Sequence, residues 1–102
     1  FENLLETENV KVKKIIVNPK SRLSLQFHNY RSEHWVIIKG IAKILLDGKI
    51  IELHEKQSID IPAGSKHYIS NETDSELIFI EVQMGTYFGE DDIVRIDDPY
   101  QR

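Results

Sequence analysis

The chain has 102 residues, of which 40% are hydrophobic and 29% charged, with a formal net charge of −4 at pH 7; that is the size and mix of one domain around a single core. Mild acidity without a basic stripe argues against nucleic acid as a partner, and no apolar run or basic amphipathic stretch suits a membrane. With no cysteine, disulfides and thiolate ligands are excluded, so a bound metal would have to sit on nitrogen and oxygen.

The sequence opens on Phe1 with no signal-peptide pattern, which reads as a piece of a longer chain. Phe1 to Glu8 suits an arm or an edge strand. Val10 to Val17 alternates and then becomes a β-branched run, so a strand is expected there, with Lys11 and Lys13 on a solvated face. Asn18–Pro19–Lys20 signals a turn. Arg22 to His28 alternates again, with Leu23, Leu25 and Phe27 on one face and Ser24, Gln26 and His28 on the other. After the polar Asn29–Ser32, a strand from Glu33 to Ile38 puts Glu33, Trp35 and Ile37 on one side.

Ile41–Leu46 and Lys49–Leu53 flank Asp47–Gly48, the strongest hairpin signal in the chain. His54 reads as an exposed loop residue. Ser58–Ile61 is a short strand closed by Pro62–Ala63–Gly64, and Lys66–Ser70 and Leu77–Val82 are strands around Asn71–Ser75. From Gly85 the character changes to a closing segment, with one helical turn expected over the sheet. Short strands between frequent turn signals predict an antiparallel sandwich or barrel.

Gln26 and His28 share a strand face, and if their strand pairs with the one starting at Glu33, an amide oxygen, an imidazole and a carboxylate converge. Adding His67 gives a first-row metal site with open positions. A lone His28 or His67 would more often be a hydrogen-bonded core or surface histidine. Together, however, Gln26–x–His28–x4–Glu33–x6–Gly40 and Pro62–x–Gly64–x2–His67–x3–Asn71 resemble the two motifs of the cupin superfamily, with glutamine in the place of a first histidine. Lys20 stands where the first motif has its leading glycine.

The resemblance extends further. Leu23–Ser24–Leu25–Gln26–x–His28–x2–Arg31–x–Glu33–His34–Trp35, and Glu81–Val82–Gln83–x–Gly85–x–Tyr87–x–Gly89–Glu90–Asp91–Asp92–Ile93–Val94–Arg95, look like the isomerase domain of type II phosphomannose isomerases. That family has histidines where this chain has Asn29 and Tyr30, and neither position has the inward parity of the proposed ligands. The resemblance implies an all-β cupin double-stranded β-helix, or jelly roll, over residues 1–102. It also implies a location in the cytoplasm and an N-terminal mannose-1-phosphate guanylyltransferase domain in the full-length chain, feeding GDP-mannose and polysaccharide biosynthesis. Cupins often dimerise through their sheets, and a homodimer is expected.

By the same resemblance, the implied reaction interconverts mannose 6-phosphate and fructose 6-phosphate through a cis-enediol(ate). Gln26, His28, Glu33 and His67 would hold a divalent ion, zinc first, with cobalt, nickel, iron or manganese as alternatives. The ion would stabilise charge developing on the sugar oxygens. Trp35 is a core or site-wall residue. For the phosphate, the planar fork of arginine is favoured; Arg95 is put first, Arg31 second, and Arg102 also falls in a matching stretch. The competing reading pairs Arg95 with Asp91, Asp92 or Asp97. His34 is out of parity with Glu33, so the proton-carrying group is sought in the acidic run at Glu90, Asp91 and Asp92, against the plainer reading of a solvated face. Two rival functions stand beside this one: a cupin oxygenase, which would want a histidine at Gln26, and a sugar-sensing or structural cupin that keeps a metal for stability.

Overall fold

Eleven strands run through the computed structural model, which describes residues 1–88 and 92–97. They are β1 (Glu2–Glu6), β2 (Val10–Val17), β3 (Ser21–Arg22), β4 (Leu25–His28), β5 (Arg31–Lys39), β6 (Ala42–Leu46), β7 (Lys49–Leu53), β8 (Ser58–Ile61), β9 (His67–Asn71), β10 (Leu77–Gly85) and β11 (Ile93–Asp97). All their pairings are antiparallel. A five-stranded sheet has the order β1-β2-β10-β5-β8, and a six-stranded sheet has the order β11-β4-β9-β6-β7 with β3 also on β9. This is the expected jelly roll. Among the described residues no helix is long and apolar enough to cross a membrane.

Local chemistry explains most of the strand ends. Asp47 and Gly48 have φ of 47° and 84°, the two positive values that a type I′ turn requires, and they join β6 to β7. Gly40 has φ of 91°, and a Cβ there would lie 2.8 Å from the Glu76 carbonyl oxygen, so both conformation and space demand glycine. Lys20, in place of the motif's glycine, keeps a positive φ of 58°. Its ammonium group donates to the Glu72 carbonyl at 2.7 Å, which helps hold the turn. Asn71, 1% exposed, donates to the carbonyls of Val17 and Ser75 and accepts from the backbone and hydroxyl of Thr73. The last residue of the second motif therefore shapes the β9–β10 turn.

Two expectations are corrected, and a third falls partly outside the described residues. The strands carrying His28 and Glu33 do not pair: β4 lies between β11 and β9, and β5 lies in the opposite sheet between β10 and β8. The bend at Asn29–Tyr30 carries the chain across the sandwich. Next, Lys13 does not lie on a solvated face. It is 4% exposed and stands opposite Glu81 in the β2–β10 ladder. In the closing segment, Ile93–Asp97 forms a strand on β4; a helical turn at residues 89–91 would lie outside the described residues.

The inner face of the five-stranded sheet changes character along its strands. At one end Val17, Leu77, Phe79 and Ile37 pack against Ala42, Ile44 and Ile69 of the other sheet, forming the apolar core. Fully burying side chains of this kind contributes roughly 1.5–3 kcal/mol each. Continuing along the same strands with the same parity come Lys13, Glu81, Gln83, Glu33 and Arg31, all buried. The core thus gives way to a polar interior at one end of the sandwich, and the candidate site lies there.

Candidate metal centre

The register places the donors. Gln26 is the cross-strand partner of His67 on β4 and β9, and His28 follows Gln26 by one inward step. Glu33 comes from β5 of the facing sheet, beside Gln83 on β10. One nitrogen each from His28 and His67 and one oxygen of Glu33 lie within 4.8 Å of one another, and these three residues are between 2% and 3% exposed. They line a cavity of about 240 Å³ together with Gln26, Arg31, Trp35, Glu81 and Arg95, among others.

The tautomer of His67 follows from one contact. Its Nδ1 lies 3.0 Å from the Ser65 carbonyl oxygen, which can only accept, so Nδ1 carries the proton and Nε2 keeps its lone pair. Trp35 stacks edge-on against the His67 ring, with centroids 5.3 Å apart, and donates its indole N–H to Glu33 Oε1 at 2.9 Å. Trp35 is therefore a wall of the site as well as a core residue. Gln26 uses its amide nitrogen on the Ser24 carbonyl and hydroxyl oxygens, which leaves its carbonyl oxygen available to a cation.

Arg31 is the residue whose place departs most from expectation. It is 4% exposed, donating Nε–H to Glu33 Oε2 at 3.1 Å and Nη2–H to His28 Nε2 at 2.7 Å. The guanidinium lies among the donors themselves, committed to two of them. Arg95 is exposed on β11 and lies opposite Gln26 in the ladder, at the edge of the cavity. Asp92 is 4% exposed, with Oδ1 accepting the Asn29 N–H and Oδ2 the Tyr30 N–H, each at 3.0 Å. It is a clamp on the bend between β4 and β5. Glu90 and Arg102 lie outside the described residues. His34 faces away from the centre and meets Asp60, and the exposed His54 contacts Glu52.

Burial sets the protonation states. His28 is lowered from 6.5 to about 4, first by burial, then by the Arg31 charge and by His67; His67 is also lowered, first by burial. Both rings are thus neutral, as metal ligands must be. Glu81 was not singled out by sequence reasoning. Burial, and after it the neighbouring Glu33 carboxylate, raises its pKa to about 8, against the pull of a Gln83 hydrogen bond and the Lys13 charge. Parity along Leu77, Phe79 and Glu81 was the available signal for finding it, once Phe79 is taken as core.

Two neutral imidazoles, a carboxylate and an amide oxygen form a donor set that fits a divalent first-row ion. The two-sheet antiparallel jelly roll is a cupin fold, the double-stranded β-helix. A double-stranded β-helix protein from Klebsiella pneumoniae superposes with a TM-score of 0.81 over 94% of this chain and 77% of its own, at 20% identity. The family described as "Mannose-6-phosphate isomerase C-terminal" matches residues 1–98, and the chain belongs to it. It is 48% identical over 91 residues to the alginate biosynthesis protein AlgA of Pseudomonas aeruginosa, covering 89% of this chain and 19% of that one. It is 42% identical over all 102 residues to a mannose-1-phosphate guanylyltransferase of Escherichia coli, covering 21% of it. The chain thus spans about a fifth of the length of these relatives.

Proposed function

We infer that this domain is a metal-dependent aldose–ketose isomerase acting on mannose 6-phosphate and fructose 6-phosphate. The observation that carries the reading is the convergence of His28, Glu33 and His67 at a cavity, in a chain of the mannose-6-phosphate isomerase C-terminal family. Gln26, His28, Glu33 and His67 would hold the divalent ion. When bound, it supplies Lewis acidity toward the carbonyl and hydroxyl oxygens between which the proton moves.

The chain's own residues shape the rest. Trp35 and the burial around His67 keep water from the reacting end of the sugar. Arg95, at the cavity edge, is the residue proposed to receive the phosphate, because an exposed planar fork matches a dianion. Arg31, buried and bonded to His28 and Glu33, serves the donor set instead. Asp92 positions the ligand-bearing bend; with both oxygens on backbone N–H groups it is not the proton carrier.

In the longer relatives' context, an N-terminal nucleotidyltransferase domain would consume the mannose phosphate made downstream of this reaction. A homodimer is proposed on the outer face of the five-stranded sheet, where Ile16 and Ile38 are 46% and 51% exposed; sedimentation would read it directly. The activity is tested by metal-reconstituted turnover of mannose 6-phosphate. Conversion that depends on added metal and vanishes in His67→Ala supports the reading, whereas conversion persisting in metal-free protein overturns it.

A further inference from the structure

Arg31 competes with a cation for the same electrons. A guanidinium has only donors and keeps its charge at any pH a protein survives. In its 2.7 Å contact with His28 Nε2, the imidazole must therefore accept, placing the His28 proton on Nδ1. Nδ1 faces Glu33 Oε2 at 3.6 Å. In this arrangement neither His28 nitrogen offers a free lone pair. Glu33 is engaged at both ends as well, by Trp35 on Oε1 and by Arg31 on Oε2.

We propose that Arg31 is a displaceable internal cation that holds the donor set together in the metal-free protein and must leave His28 and Glu33 when a divalent ion enters. This deepens the metal-site reading above and rests on it. Both cations cannot share the pocket, because like charges a few ångströms apart repel strongly where water is excluded. Taking one positive charge away as a divalent ion arrives keeps the net gain in the buried site to a single charge. The Phe88 carbonyl, already 3.5 Å from Arg31 Nη1, is the acceptor toward which the guanidinium can withdraw. Gly85 packs its bare backbone against the start of β5, where a Cβ would lie 2.8 Å from the Arg31 Cα, so the backbone that carries Arg31 is held while its side chain changes partners.

The test is calorimetric titration of the full chain with Zn²⁺ and Co²⁺, comparing wild type with Arg31→Gln and Arg31→Ala. Releasing the lone pair in advance should tighten metal binding by about tenfold or more, the equivalent of a buried charge-assisted hydrogen bond no longer broken. The metal-free variants should melt below wild type, and added metal should restore more of their thermal stability. In wild type, the Arg31 Nε–H and His28 ring nitrogen resonances report the exchange directly, even if both variants fail to fold. On adding Zn²⁺ the His28 Nε2 signal should move to a metal-bound position, and the Arg31 Nε–H should lose its exchange protection. Equal or weaker affinity in folded variants, or an Arg31 signal unmoved by bound metal, overturns the displacement while leaving the metal site standing. Absence of metal binding in wild type and variants alike overturns both.

Discussion

Glu33 has an acceptor on each side filled by a different donor, the Trp35 indole at 2.9 Å and the Arg31 guanidinium at 3.1 Å. A carboxylate held at both ends cannot turn away from the cavity, so the fixed orientation of the donor is a property of β5, where Arg31, Glu33 and Trp35 share the inward parity. Trp35→Phe keeps the ring packing and removes only the N–H. We expect it to lower stability by about 2 kcal/mol in urea unfolding, the range for a lost hydrogen bond to a charged group. A cost near zero would mean that the indole contact does not restrain Glu33. At the cavity edge, Arg95→Ala should raise KM for mannose 6-phosphate by roughly tenfold while leaving the weak binding of unphosphorylated mannose unchanged; equal effects on both sugars would remove its phosphate role. At this scale, the donors His28, Glu33 and His67 were legible because each falls in a spaced motif. The place of Arg31 was missed because it was read as part of the polar stretch before a strand starting at Glu33; β5 begins at Arg31, which gives it the same inward parity.

At the scale of elements, the bend between β4 and β5 is the hinge of the site, because it delivers His28 to one sheet and Glu33 to the other. Asp92 fixes that bend through two backbone N–H groups. Asp92→Ala should cost about 2 kcal/mol by leaving both donors unpaired, and amide exchange should speed up at Asn29 and Tyr30 first. Protection unchanged at these two amides would contradict the clamp. The sequence made Asp92 look like part of a solvated acidic run; its partners lie 62 and 63 positions away, beyond the reach of periodicity. The same limit explains β2. Ile15, Ile16 and Val17 are apolar on both parities, so alternation could not tell which face is inward. Pairing with β10 turned Lys13 in and left Ile16 half exposed. By contrast, the turn of the β6–β7 hairpin was readable to the residue, because the backbone demands of Asp47–Gly48 are local.

For the molecule as a whole, placing a polar interior at one end of an apolar sandwich makes stability depend on pH in two opposed ways. His28 has a folded pKa of about 4, below its ordinary 6.5, so its contribution is present above pH 6.5 and is lost as pH falls through 4, by about 3 kcal/mol in full. Glu81 has a folded pKa of about 8, above its ordinary 4.5. Its contribution is full below pH 4.5 and is lost as pH rises through 8. Of these two groups only Glu81 acts between pH 6.5 and 8, so metal-free wild type should lose stability there while Glu81→Gln stays level. Parallel curves for the two proteins would show that the Glu81 carboxyl is not held protonated.

The donor set is the feature on which the functional reading depends, and metal stoichiometry measured on protein titrated with Co²⁺ tests it most directly. Wild type should take up one ion per chain with the absorption of nitrogen and oxygen ligation, and His67→Ala, still folded, should lose that ion. Undiminished uptake by His67→Ala would contradict a cation held between His28, Glu33 and His67.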